Sequence, residues 1–244
     1  VKYRLCKNCG SSIPADSRFC PRCGEKVINE SKSLTGSDIL LPLLLYALFL
    51  SLVLFVRISG LFYDWRWILV SDFAAIVLVF GFFLADWSRL KPLLHIQKFQ
   101  WSLFSVVIVV SVIWAIGVNF LADWLSMYLF DTRYLYYDIY RDAPWSLGIL
   151  IFSIALQPAV TEEPVFRGII YTRLRKAMRP APVIILTASL FTLLHFDFIA
   201  ALWLFPMGLF YGWLRERYQT IWYGVAAHFT HNLVIVLLEY YLYV

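Results

Sequence analysis

The chain has 244 residues, of which 61% are hydrophobic and 15% charged, with a formal net charge of +5. Its mean hydropathy is +0.71, whereas a soluble domain holds about 45–50% apolar and about 25% charged residues. That excludes an ordinary soluble globule, a disordered chain and a disulfide-rich miniprotein, and leaves a polytopic membrane protein with a small polar appendage.

The polar part comes first. Residues 1–37 hold all four cysteines and seven of the 21 basic residues, and from Ile39 the chain is nearly continuous apolar sequence. A Ser/Gly/Thr stretch over 31–37 reads as a linker between an appendage over 1–30 and a membrane domain over 38–244. No basic, apolar leader precedes Val1, so no cleavable signal peptide is expected in the sequence as given.

Within the appendage, Cys6-x-x-Cys9-Gly10 and Cys20-x-x-Cys23-Gly24 are separated by ten residues between Cys9 and Cys20. Each pair suits a tight turn whose backbone N–H groups face the thiolates, with Gly supplying the positive φ that follows. Two such turns place Cys6, Cys9, Cys20 and Cys23 around one tetrahedral zinc. The pattern resembles zinc ribbons, and in so short a fold the metal is expected to be structural and to supply most of the folding energy. Two disulfides are the alternative, and they need an oxidising compartment. Lys2, Arg4, Lys7, Arg18, Arg22 and Lys26 make the ribbon basic, open to an acidic protein partner or anionic lipid, with nucleic acid placed last.

Seven apolar segments follow: Ile39–Val56, Trp67–Ala85, Trp101–Leu121, Trp145–Val160, Pro182–Ile199, Ala200–Leu214 and Ile221–Val244, the fourth and sixth being short. We expect about seven transmembrane helices, an all-α polytopic fold. Asp123–Asp142, charged and rich in tyrosine, reads as an interfacial segment. With a cytoplasmic N-terminus, 17 of the 21 Lys and Arg fall on inside segments and four outside, the positive-inside pattern. That orientation keeps the cysteines reduced. Tryptophan and tyrosine at the segment ends fit interfacial belts. Arg173, Arg175, Lys176 and Arg179 suggest an amphipathic segment on the inner leaflet, able also to steer an acidic substrate terminus.

Ionisable groups inside spans are costly and mark function. Thr161-Glu162-Glu163-Pro164-Val165-Phe166-Arg167-Gly168 places Glu163 and Arg167 at i, i+4, a built-in ion pair, and leaves Glu162 about 100° away without that partner. Phe191-x-x-x-His195 closes the fifth segment. His228-x-x-x-Asn232 puts a histidine and an amide on one face of the last, with His231 close to that face. Asp72, Asp86 and Asp197 are expected to be helix-end or interhelical partners, and His95 to be solvated.

In order and spacing, these three motifs resemble those of the CPBP (Abi) family, which includes CAAX prenyl proteases and proposed bacteriocin-processing or immunity proteins. The resemblance covers about 145–244 and leaves the ribbon as an added module. It implies an intramembrane glutamic endopeptidase with no catalytic metal. By position, Glu162 is the general base and activates water with His195, while His228 and Asn232 bind the oxyanion. Glu163 and Arg167 orient the motif. The expected partners are a peptide or protein substrate at the membrane and the lipid bilayer.

On straight helices these groups do not meet. Glu162 lies about 25 Å along the fourth segment, near the inner edge, whereas His195 sits about 20 Å and His228 about 10 Å in from it. Convergence requires a fourth helix that is tilted, displaced or continued beyond Arg167. Three rival readings remain: a zinc protease using His195, His228, His231 and a glutamate, a non-catalytic scaffold or immunity protein, and a transporter, the last without any internal repeat.

Overall fold

The structure, a computed structural model, describes residues 3–6, 8–14, 20–24, 35–96, 99–133 and 135–243. Lys2, Lys7, Arg18, Lys26 and residues 31–34 of the expected linker lie outside the described residues. In the appendage, β1 (Tyr3–Leu5) and β2 (Ser12–Pro14) pair antiparallel with Arg4 opposite Ile13. Ile13 is fully buried and packs on Cys6 and Cys20.

Among the described residues seven long helices follow: α1 (Gly36–Ile58), α2 (Trp65–Ala85), α3 (Trp101–Phe130), α4 (Ser146–Leu174), α5 (Pro180–Leu194), α6 (Ala201–Tyr218) and α7 (Trp222–Tyr243). Each expected apolar segment forms a helix, although the fifth ends at Leu194 and leaves 195–199 as a turn, and α1 begins inside the expected linker, capped by Thr35 and Asp38. Five helices, α1, α2, α3, α4 and α7, are long and apolar enough to cross a membrane. Seven crossings are therefore not established: α5 has 15 residues, and α6 carries Arg215, Glu216 and Arg217 in its last turn.

The outward faces are as apolar as the inward ones. On α2, Val70, Phe73, Val77 and Phe80 are exposed, and Ile68, Ala75, Val79 and Phe83 are buried. A helix apolar all round is one solvated by protein on one side and lipid on the other.

The helices alternate in direction. Arg173, near the end of α4, donates to the Ser37 carbonyl at the start of α1 and to Asp86 at the end of α2. Asp38 accepts from Lys176, and Thr220 just ahead of α7 donates to the Leu93 carbonyl, so these termini share one end of the bundle. At the other end, Glu239 of α7 accepts from the Tyr137 N–H of a short helix, Tyr137–Tyr140. The ion pairs correct the reading of the cationic segment. Arg173 and Lys176 are tied to Asp38 and Arg175 to Glu216, so three of the four cations brace helix ends.

Asp123–Asp142 is not one interfacial element. Its first part, to Phe130, continues α3, and Asp123 is neutralised by Arg133 beyond the turn. The fourth segment likewise does not end at Val160: α4 runs to Leu174. It absorbs Pro158 and Pro164 through two π-helical turns, Phe152–Leu156 and Pro164–Ile170. A proline removes one i→i−4 bond, and a wider turn carries the ladder past it.

Helices α5 and α6 form an antiparallel hairpin packed backbone to backbone. A Cβ at Gly208 would stand 2.9 Å from the Ala188 Cβ, closer than side chains pack. One apolar core joins α1, α2, α4, α5 and α6 around Phe166, Ile169 and Phe191. A second joins α3, α6 and α7 around Met207, Tyr211 and Ala227.

Candidate active site

The two cores meet at a buried ion pair on α4. Glu163 and Arg167 both have side chains 0% exposed, and Arg167 Nη1 donates to Glu163 Oε1 at 2.9 Å. So deep a pair holds only if its remaining polar atoms find partners. Arg167 Nη2 donates to the Gly208 carbonyl at 3.0 Å, and the guanidinium lies 4.8 Å from the Phe191 ring centroid and 5.2 Å from that of Tyr211. Two aromatic faces supply cation–π attraction where water is absent.

His228 enters from α7. Its Nδ1 lies 3.2 Å from Glu163 Oε1, and its ring is stacked on Tyr211 at 5.5 Å and set edge-on to Phe191 at 5.8 Å. Because Glu163 as a carboxylate can only accept, this contact makes His228 Nδ1 the protonated nitrogen. The opposite nitrogen, Nε2, faces Glu162 Oε2 at 3.9 Å. The two carboxylates therefore stand in different settings. Glu163 is held by a cation and an imidazole, while Glu162 Oε2 is buried without a hydrogen-bond partner and its side chain is 12% exposed.

His195 ends α5, half-buried, with Nδ1 2.9 Å from the Phe191 carbonyl. A carbonyl cannot donate, so Nδ1 carries the proton and Nε2 is left with its lone pair. His195 meets the cluster through Phe191, whose ring is 5.0 Å from its own. Asn232, one turn beyond His228, donates through Nδ2 to the Ile154 carbonyl of α4 at 2.8 Å. His231 lines a cavity of about 230 Å³ with Ser111, Trp114, Met207 and Tyr211, the ring that stacks on His228, and its Nδ1 is without a partner. Among the described residues, the only group of three or more His, Cys, Asp or Glu side chains close enough to share a metal ion is the four cysteines.

The length of α4 carries Glu162 to His228 of α7, while His195 and Asn232 are bonded to the Phe191 and Ile154 carbonyls. The helix continues about 18 Å beyond Glu162, at roughly 1.5 Å per residue, so Glu162 lies well inside the bundle.

Three participants escaped the sequence reading. Gly224 of α7 makes room for Glu163, since a Cβ there would stand 2.7 Å from Oε2. Gly208 lends its carbonyl to Arg167. The spacing Gly208-x-x-x-Gly212 was a legible signal for close helix packing. Tyr211 stacks on His228, and nothing in the local sequence marks it.

The second site is the ribbon. Cys6, Cys9, Cys20 and Cys23 bring their sulfurs within 4.8 Å of one another, with Cys6 to Cys23 at 3.7 Å and Cys9 to Cys20 at 3.6 Å. None of the four is joined in a disulfide, which sets that alternative aside. Tetrahedral sulfurs about 2.3 Å from zinc stand about 3.8 Å apart, so the set fits that ion. Gly10 and Gly24 have φ of 70° and 72°, and their N–H groups close the two turns on the Cys6 and Cys20 carbonyls. The Ser11 hydroxyl pulls the Cys20 thiol down to about 6 and also lowers Cys9. Both effects favour the ligating thiolate.

These features define an integral membrane protein with a polar Glu/Arg/His site inside its helix bundle and a metal-binding ribbon at its N-terminal end. Residues 144–234 match the family described as type II CAAX prenyl endopeptidase Rce1-like, and residues 5–27 match the zinc-ribbon domain. The chain therefore carries an Rce1-like domain of the CPBP family behind a zinc ribbon, and the match supports a CAAX-type intramembrane endopeptidase. No curated protein and no solved structure matches the chain.

Proposed function

We propose that the chain hydrolyses a peptide bond near the cytoplasmic membrane surface, using water activated by Glu162 and His195 without a catalytic metal. The observation that carries this reading is the unequal pair of carboxylates: Glu163 accepts from Arg167 and His228, whereas Glu162 Oε2 faces His228 Nε2 at 3.9 Å with no hydrogen bond of its own. A base that must take a proton from water cannot already be neutralised by a guanidinium, so the role falls to Glu162. His195, with Nδ1 committed to the Phe191 carbonyl, presents an Nε2 able to accept from the same water.

As the carbonyl carbon becomes tetrahedral, its oxygen takes a negative charge that fixed donors stabilise, each commonly by about 3 kcal/mol. Asn232 has one amide N–H on Ile154 and a second to offer. His228, whose Nδ1–H is directed at Glu163, donates from Nε2 only as imidazolium. Glu163 and Arg167 then act as positioning residues, holding His228 rather than touching substrate. The amine leaves with the proton that Glu162 took from water.

The same reading places the N-terminus, the ribbon zinc and the mouth of the site on the cytoplasmic side, supported by the distribution of Lys and Arg. It treats 1–30 as a module that binds a protein partner.

The test is cleavage of a quenched-fluorescent peptide library, including farnesylated members, by purified protein in detergent. Chains with and without residues 1–30 are compared, each with and without 1,10-phenanthroline. Cleavage that survives the chelator and vanishes in Glu162→Ala and His195→Ala supports the mechanism. Loss to chelator in the ribbon-free chain would instead indicate a metalloprotease, and absence of any cleavage would favour a scaffold.

A further inference from the structure

The cavity of about 230 Å³ between α3, α6 and α7 takes no part in the proposed hydrolysis. Its wall includes Val110 and Trp114 of α3, Met207, Phe210 and Tyr211 of α6, and His231 of α7, and is almost entirely apolar. Val110 and Trp114 are exposed on the outer face of α3, so the rim lies on the lipid-facing surface. His231 is 5% exposed, and its Nδ1 is buried with no hydrogen-bond partner. Ser111, also in the wall, gives its proton to the Val107 carbonyl at 2.8 Å and has none for His231. His231 lies about 14 Å from the Trp222 end of α7, at roughly 1.5 Å per residue, near the middle of a hydrocarbon core about 30 Å thick.

We propose that this cavity binds an uncharged, flat aromatic molecule taken up from the lipid, with a single hydroxyl placed on His231 Nδ1. Water suits the space poorly, because each buried water needs two to four polar partners and several would be required to fill it. An apolar cavity of about 150 Å³ stays dry and takes up benzene, so this larger one has room for a second fused ring. Trp114, Phe210 and Tyr211 offer aromatic faces and edges for stacking, and Met207 a polarisable sulfur. A charged group is excluded by the depth. A hydroxyl both donates and accepts, so it satisfies Nδ1 in either tautomer of the imidazole, whereas a carbonyl satisfies only one. Tyr211 also stacks on His228 at 5.5 Å, so the occupant packs against a ring shared with the candidate active site.

The experiment is nitrogen NMR of the full chain in detergent, labelled with 15N-histidine, and it reads binding independently of any protease activity. The chain has four histidines, and the signal lost in His231→Gln identifies His231. The probe is 2-naphthol, and the control is naphthalene, which enters the same micelles without a hydroxyl. 2-Naphthol is expected to shift the His231 signal saturably and severalfold further than naphthalene at equal concentration. Val110→Trp fills the rim from an exposed position and should abolish that response. Should it not fold, Trp114→Ala removes one stacking face and should weaken the affinity about 10-fold. A shift that grows linearly without saturating, as micellar partitioning gives, overturns the proposal. So does an equal shift with naphthalene, or a folded rim variant that titrates like wild type.

Discussion

Asn232 on α7 donates to the carbonyl of Ile154 on α4 at 2.8 Å, and that carbonyl stands four residues before Pro158. Proline has no N–H to return to it, so a side chain from another helix supplies the missing donor. The first prediction follows from this. Asn232→Ala strands a carbonyl in the protein interior and should lower stability by about 1–3 kcal/mol. Pro158→Ala restores a backbone donor and should recover part of that loss in the double variant, read as Tm in detergent. Strict additivity of the two substitutions would show that the amide does not compensate for the proline.

Gly224 is expected to be the least replaceable glycine of the membrane domain. An alanine there places Cβ 2.7 Å from Glu163 Oε2, and Glu163 cannot withdraw without releasing Arg167 and His228. Gly224→Ala should cost about 1–3 kcal/mol through overpacking. Gly117→Ala, whose Cβ meets nothing within 4 Å, serves as the control and should be neutral or slightly stabilising. Equal behaviour of the two would remove Gly224 from the site.

The two adjacent glutamates should separate cleanly when each becomes glutamine. Glu163→Gln leaves Arg167 buried without a counter-charge and should destabilise by about 3–5 kcal/mol. Glu162→Gln breaks no hydrogen bond and should fold with a stability within about 1 kcal/mol of wild type. On the proposed mechanism it also abolishes cleavage. A Glu162→Gln protein that still cleaves would transfer the base to another residue.

For the ribbon, one zinc per chain is expected by elemental analysis, lost in Cys9→Ser or Cys20→Ser. Ser11→Ala removes the hydroxyl that contacts both Cys9 and Cys20 and should weaken zinc about 10- to 100-fold in a chelator competition. An unchanged affinity would mean that the hydroxyl contributes nothing to holding the thiolates.

Much of the architecture was legible because a bilayer and a zinc ion impose simple rules on sequence. Uninterrupted apolar stretches can only be helices where backbone groups have no water, and two Cys-x-x-Cys-Gly turns can hardly serve anything but a metal. The pairing of Glu163 with Arg167 was equally local, a matter of helical spacing. Helix ends were less legible: Asp123 was hidden by a pairing with Arg133 across a turn, and α4 by prolines that π-helical turns absorb. Composition cannot see either device.

By itself, then, the sequence determined the solvent of each segment, the ribbon's ligand set and which side chains carry reactive chemistry. The tertiary structure alone decided how those side chains are shared out. His228 faces Glu163, while His231 lines a cavity with Ser111 and Trp114 of α3. Glu162 and Glu163, adjacent and chemically identical, acquire opposite settings because only one meets Arg167 and the notch at Gly224. The reason is that a helix periodicity fixes which residues share a face, but not which neighbour that face will meet.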